Sequence, residues 1–134
     1  MNQIFADTGY WIGLVNPRDQ IHKKVMKITQ ELSSVRLVTT EMVLVELLNS
    51  FSDSPFRRAV AGMVVKLRND RNVTVVPQTP EQFERALRRY RQATDKSWSL
   101  TDCASFEVMK AEQIQAALTH DQHFAQAGFE TLLR

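Results

Sequence analysis

Cysteine is all but missing from this chain: Cys103 is the only one among 134 residues, so no internal disulfide can form and a thiolate metal cage is excluded. Proline and glycine are also scarce, four of each and scattered, which argues against disordered and fibrous classes. Long apolar runs are lacking too. The longest near the start, Tyr10 to Val15, is far too short to cross a bilayer, and no basic segment with a small-residue cleavage site precedes it; the chain reads as soluble and cytoplasmic, with no membrane partner. Neither charge sign dominates. A formal net charge of +2 is too mild to establish a polyanionic partner, though it leaves room for one. The length fits a single domain over residues 1–134 with a sizeable core.

What is present is an alternation of patterns. Ile4-Phe5-Ala6, Arg36-Leu37-Val38-Thr39 and Val73-Thr74-Val75-Val76 are short apolar or β-branched runs closed by polar residues or proline, and Gln115 to Thr119 is a fourth strand candidate. Between them lie helical spacings: Ile21, Val25, Ile28 and Leu32; Phe56, Val60, Met63 and Leu67; Phe83, Leu87 and Tyr90. Thr79-Pro80-Glu81 supplies a helix start, with a capping hydroxyl and a proline at the first helical position. Strands separated by long helices cannot be hairpins, so the expected fold is α/β, a mainly parallel sheet with helices on both faces. Ligands of such sheets collect beyond the carboxyl ends of the strands.

Four acids interrupt or end segments built for burial: Asp7, Glu46, Asp102 and Asp121. A carboxylate taken out of water must be paired, hydrogen-bonded or bound to a metal. Each has a plain structural alternative. Asp7 and Asp121 could simply cap helices, and Ser99-x-x-Asp102 matches a capping arrangement. Glu46 sits in the middle of Met42 to Phe51, a helix apolar nearly all round and therefore expected to be buried, so its alternative is an ion pair with an arginine. Four carboxylates among threonines, serines and Asn49 suit Mg²⁺ or Mn²⁺. His22, His120 and His123 lack the spacing of a histidine metal site, and Cys103 fits a small buried hydrophobe better than a nucleophile. Basic charge gathers elsewhere, in Arg57-Arg58, Lys66 to Arg71 and Arg85 to Arg91; singly these are solvated helix faces, and together they could follow a phosphate backbone.

Four segments carry a family pattern: Phe5-Ala6-Asp7-Thr8; Thr39-Thr40 leading to Val45-Glu46-Leu47-Leu48-Asn49; Trp98-Ser99-Leu100-Thr101-Asp102-Cys103-Ala104-Ser105-Phe106; and Leu118-Thr119-His120-Asp121-Gln122-His123-Phe124 with Gly128-Phe129. In that order and at those separations the chain resembles the PIN-domain ribonucleases, most closely the VapC-like toxins of bacterial toxin-antitoxin pairs. The resemblance implies a PIN-like three-layer α/β/α sandwich. It places the family's acidic quartet on Asp7, Glu46, Asp102 and Asp121, with Thr8, Ser105 and Thr119 as supporting polar groups. One position departs: Gly9 stands where the family often has Ser or Asn.

The implied activity is Mg²⁺-dependent (or Mn²⁺-dependent) endonucleolytic cleavage of single-stranded RNA by a metal-activated water. Asp7 and Asp102 would hold the metal directly, and Glu46 and Asp121 directly or through water. A cognate antitoxin is implied as partner. A homodimer is expected as well, because Trp11, Trp98 and Phe56 need not all fit one core. The competing reading is a catalytically weak PIN-fold module that binds RNA or protein. A phosphoacceptor receiver and an aspartate-nucleophile phosphatase both fail, since each wants further residues that Gly9 and the chain after Lys110 do not provide.

Overall fold

All four expected strands form: β1 (Gln3–Ala6), β2 (Arg36–Thr40), β3 (Val73–Val76) and β4 (Ala116–Leu118). A fifth, β5 (Glu130–Thr131), is two residues long and has no periodicity to announce it. It is held beside β4 by backbone bonds from Glu130 N to Gln115 O and from Leu132 N to Ala117 O. The computed structural model describes residues 2–134. Among the described residues, seven helices connect and follow the strands: α1 (Thr8–Val15), α2 (His22–Glu31), α3 (Glu41–Ser50), α4 (Arg57–Arg68), α5 (Pro80–Gln92), α6 (Leu100–Ala111) and α7 (Gln122–Gln126). None of the described helices is long and apolar enough to cross a membrane.

Helix starts follow local chemistry. The Thr40 hydroxyl accepts from Val43 N at 3.0 Å and the Thr79 hydroxyl from Gln82 N at 3.1 Å, with Pro80 in the first turn of α5. At α6 the full reciprocal capping box forms between Ser99 and Asp102.

Every strand pairing is parallel and the order across the sheet is β3-β2-β1-β4-β5. From β1 the chain therefore winds outward through β2 and β3, then returns to the other side of β1 for β4 and β5. Right-handed crossovers assign α1 to α4 to one face of the sheet and α5 to α7 to the other. The reversal between β1 and β4 is the switch point, where loops leave in opposite directions and open a crevice at the carboxyl ends. Register fixes its floor: Ala6 pairs with Leu118, and Asp7 N donates to Leu118 O at 3.3 Å.

Ile4, Phe5, Ala6, Ala117 and Leu118 are buried in this central pair of strands. An aromatic chain ties α6 and α7 to it. Phe5 meets Phe124 at 6.2 Å, Phe124 meets Phe106 edge-on at 5.0 Å, and Phe106 meets Trp98 edge-on at 5.0 Å.

Two expectations need correction. Helix α3 is not buried all round: Val43, Leu44 and Leu47 face the core, but Val45 is 55% exposed and Leu48 36%. Only one stripe of the helix meets the sheet, so its apolar excess covers a solvent face as well. The aromatic argument for a homodimer also lapses, because Trp11 is fully buried while Trp98 and Phe56 pack against the same core.

Candidate active site

Sheet order brings the four acids together. Asp7 is the first residue beyond β1, Asp121 lies three beyond β4, Glu46 is in the second turn of α3 and Asp102 in the first turn of α6. All four line one cavity of about 740 Å³ over the β1–β4 crevice. Among the described residues, no lysine or arginine forms an ion pair with any of them. The arginine partner expected for Glu46 as its structural alternative is therefore not there.

Asp7 sits at the start of α1 yet makes no side-chain cap bond, so the capping alternative does not account for its burial. Its Oδ2 accepts from the Thr119 hydroxyl at 3.0 Å. Burial is the main force on this carboxyl, raising its pKa from 3.8 to about 7; the Thr8 backbone N–H and the Thr119 hydroxyl oppose the rise, and the charges of Asp102 and Glu46 add to it. Asp7 is thus an acid held near neutrality in the absence of a counter-charge.

Glu46 is half-buried, and its Oε1 accepts from the Thr8 hydroxyl at 2.5 Å. Thr8 thereby links the first turn of α1 to α3. Asp102 does complete a helix start: its Oδ2 accepts from Ser99 N at 3.1 Å. The same oxygen lies 2.9 Å from His123 Nδ1, so capping and cavity-facing roles coexist. Asp121 likewise caps α7, accepting from His123 N at 2.9 Å, while Thr119 accepts from Asp121 N at 3.0 Å. Thr119 therefore braces two acids at once.

His123 is the residue that sequence reasoning missed. Its Nδ1 is 2.9 Å from Asp102 and 3.4 Å from Asp121, and the three donor atoms lie within 4.8 Å of one another. The ring nitrogen hydrogen-bonds Asp102 and stands within ion-pair distance of Asp121, so His123 lies between the two acids. The available signal was its place two residues after Asp121, which turns its ring back toward the capping carboxylate. Ser105 goes the other way. Its hydroxyl donates to the Thr101 carbonyl at 3.0 Å inside α6 and does not line the cavity. Gly9 has a local reason: a Cβ there would stand 3.3 Å from His120 Cε1, so the missing side chain lets the His120 ring lie against the start of α1.

The donors suit a hard divalent cation. Carboxylates dominate, one is pushed toward neutrality by burial, and among the described residues no lysine or arginine is ion-paired to them, although Arg134 also lines the cavity. Asp102 belongs to the tight donor cluster, whereas Asp7, the other expected direct ligand, faces the same cavity from outside it.

This geometry of a parallel sheet with acids converging at its switch point is that of an α/β nuclease-type site, and the sequence assigns it. The model of the PIN domain matches residues 4–130, and the chain belongs to that family. Among its relatives, the 23S rRNA-specific endonuclease VapC20 of Mycobacterium tuberculosis is 32% identical over 129 residues, spanning 94% of this chain and 95% of the relative. The crystal structure of that VapC20, described as a Sarcin-Ricin loop cleaving toxin, matches with a TM-score of 0.84 at 28% identity, covering 94% of this chain and 95% of the other. VapBC2 from Rickettsia felis, crystallised with a promoter DNA fragment, shares the fold at a TM-score of 0.69 and 13% identity over 96% of both chains.

Proposed function

We propose that this chain, acting as one domain over residues 1–134, is a metal-dependent endoribonuclease that cuts single-stranded RNA, and that it is the toxin of a toxin-antitoxin pair. One observation carries the reading: four carboxylates share a cavity, and among the described residues no lysine or arginine is ion-paired to them. When bound there, Mg²⁺ or Mn²⁺ would lower the pKa of a water and offset the charge developing on the phosphodiester. Asp102 and Asp121, fixed by their caps and by His123, and Asp7, fixed by Thr119, are the residues that would hold it. Glu46, oriented by Thr8, completes the acidic wall. The acids position water in line with the leaving 3′ oxygen, so the P–O3′ bond breaks and the ends are 5′-phosphate and 3′-hydroxyl. The name and activity of VapC20 support the substrate class.

The antitoxin reading is supported by VapC20 being described as a toxin and by a second, less polar cavity. Met42, Val45 and Asn49 line it, and Glu46 and Ser50 are shared with the acidic cavity, so an amphipathic helix laid on α3 could present a basic side chain to the acids. A homodimer remains part of the proposal through kinship alone, and the measured mass in solution tests it.

The deciding experiment is cleavage of a mixed single-stranded RNA pool, together with a sarcin-ricin loop RNA, by wild type and Asp102→Asn. Cleavage that needs Mg²⁺ or Mn²⁺, leaves 5′-phosphates and disappears in the variant is the expected result. Cleavage that survives full chelation, or leaves 2′,3′-cyclic phosphates, overturns it.

A further inference from the structure

The cationic face of α5 is not used by the acidic site, and it does not point into bulk solvent alone. Arg85, Arg88, Arg89 and Lys110 line a separate cavity of about 320 Å³ with Trp98, and Glu107 is its one acid. Arg89 is fixed in place: its Nε donates to Glu107 Oε2 at 2.5 Å, and its guanidinium carbon lies 6.0 Å from the Phe106 ring centre. Among the described residues, Arg85, Arg88 and Lys110 have no ion-pair partner. Arg88 also lines the next cavity along α5, with Arg91 and one acid, Glu84, so arginines outnumber acids there too.

The two cavities share a wall. Ser97 and Ser99 line the acidic one, and Trp98 between them lines the basic one. Trp98 is itself pinned, its Nε1 donating to Gln126 Oε1 at 3.0 Å and its ring packed edge-on against Phe106. A strand entering the acidic cavity needs cations for its flanking phosphates, because the four acids repel them. The basic cavity, which meets the acidic one at Trp98, offers such charges beside an aromatic ring on which a base can stack.

We propose that the cavity of Arg85, Arg88, Arg89, Lys110 and Trp98 is a subsite for the substrate RNA, gripping phosphates that flank the scissile bond beyond the Ser97–Ser99 ridge. The inference rests on the ribonuclease reading and adds where the strand runs. Arg85 and Arg88 supply exposed charge, Arg89 a preoriented guanidinium, and Trp98 the apolar side.

The test is binding of a fluorescent 20-nucleotide single-stranded RNA of mixed sequence to the full chain in EDTA, across a salt series. Arg85→Ala/Arg88→Ala should weaken binding about tenfold near 0.1 M salt and flatten the log-log salt slope by about 1.4, roughly 0.7 for each lost phosphate contact on a single strand. Arg88→Gln alone should flatten it by about half as much. Lys66→Ala/Arg68→Ala is the matched control: it removes equal charge from the end of α4, which leads into the amino end of β3, away from the site. Less than about twofold loss is expected there. Equal weakening by both double variants, or unchanged affinity and slope for Arg85→Ala/Arg88→Ala, overturns the subsite. So does a double variant that keeps RNA affinity but loses affinity for a poly-glutamate peptide, which would assign the cavity to an acidic protein segment. RNA cut during the EDTA incubation would count against the metal-dependent reading and not against the subsite.

Discussion

The acidic and basic cavities adjoin, yet they are built in opposite ways. The basic one takes three of its arginines from a single helix, in the run Arg85 to Arg91, and most of those side chains stay in water. The acidic one takes four carboxylates from four segments spread over more than a hundred residues and buries two of them. Local charge at a surface costs little to assemble; distant charge in a crevice is costly and persists only where hydroxyls, caps or a cation stabilise it. The comparison teaches that one region is organised by helical periodicity and the other by strand order.

The sharpest way to break that contrast is to neutralise one member of each set. Asp102→Asn should reduce RNA cleavage by about 10³-fold or more while thermal stability stays level or rises, because the amide oxygen can still accept from Ser99 N and like-charge repulsion falls. Parallel cleavage assays and melting curves check this; a large stability loss would mean that the carboxylate serves mainly as a cap.

Phe106 underlies both regions, touching Trp98 and Phe124 and lying beneath Arg89. Phe106→Ala should cost about 3–5 kcal/mol in denaturant unfolding and loosen both cavities together. Loss of only one would show that they are anchored independently.

Asp7 gives a pH signature that the basic face lacks. Its folded pKa, about 7, lies above the ordinary 3.8, so the folded state binds the extra proton between those values and stability falls as pH rises through that window. The metal-free protein should lose on the order of 3 kcal/mol between pH 4 and pH 8 from this group. Asp7→Asn should flatten the decline, and Mg²⁺ or Mn²⁺ at pH 8 should raise the melting temperature of wild type. A pH profile of stability that is identical for wild type and Asp7→Asn would remove the buried-acid account.

The smallest effect is expected at Gly9. Gly9→Ala adds helix propensity worth about 0.5–1 kcal/mol, while its Cβ would press on the exposed His120 ring, which can swing aside. A net gain of under about 1 kcal/mol by denaturant melt is expected. A loss would show that His120 is held in place against α1.

Much of this was legible in the chain. Ile4-Phe5-Ala6 and Val73 to Val76 read as strands because apolar and β-branched runs between turn residues have few other uses, and Thr79-Pro80 and Ser99-x-x-Asp102 announced their helices through cap chemistry that spans only three or four residues. Asp7 and Glu46 stood out as acids in apolar surroundings. The solvent face of α3 was not legible, since a helix with Val45 and Leu48 outward has the composition of a buried one. Nor was His123, whose partner Asp102 is 21 residues away in the chain and meets it only because Phe106 and Phe124 pack α6 against α7.

By itself, then, the order of residues determined the strands, the helix starts, the basic run of α5 and the short roll of acids from which a site could be drawn, because each depends on neighbours within a turn or a pleat. Only the tertiary structure decided that β1 and β4 lie side by side, that burial raises the pKa of Asp7, that His123 lies between Asp102 and Asp121 and that the Ser105 hydroxyl is spent within α6. Those outcomes depend on desolvation and on distances through space, and both are set by the order in which the sheet is assembled.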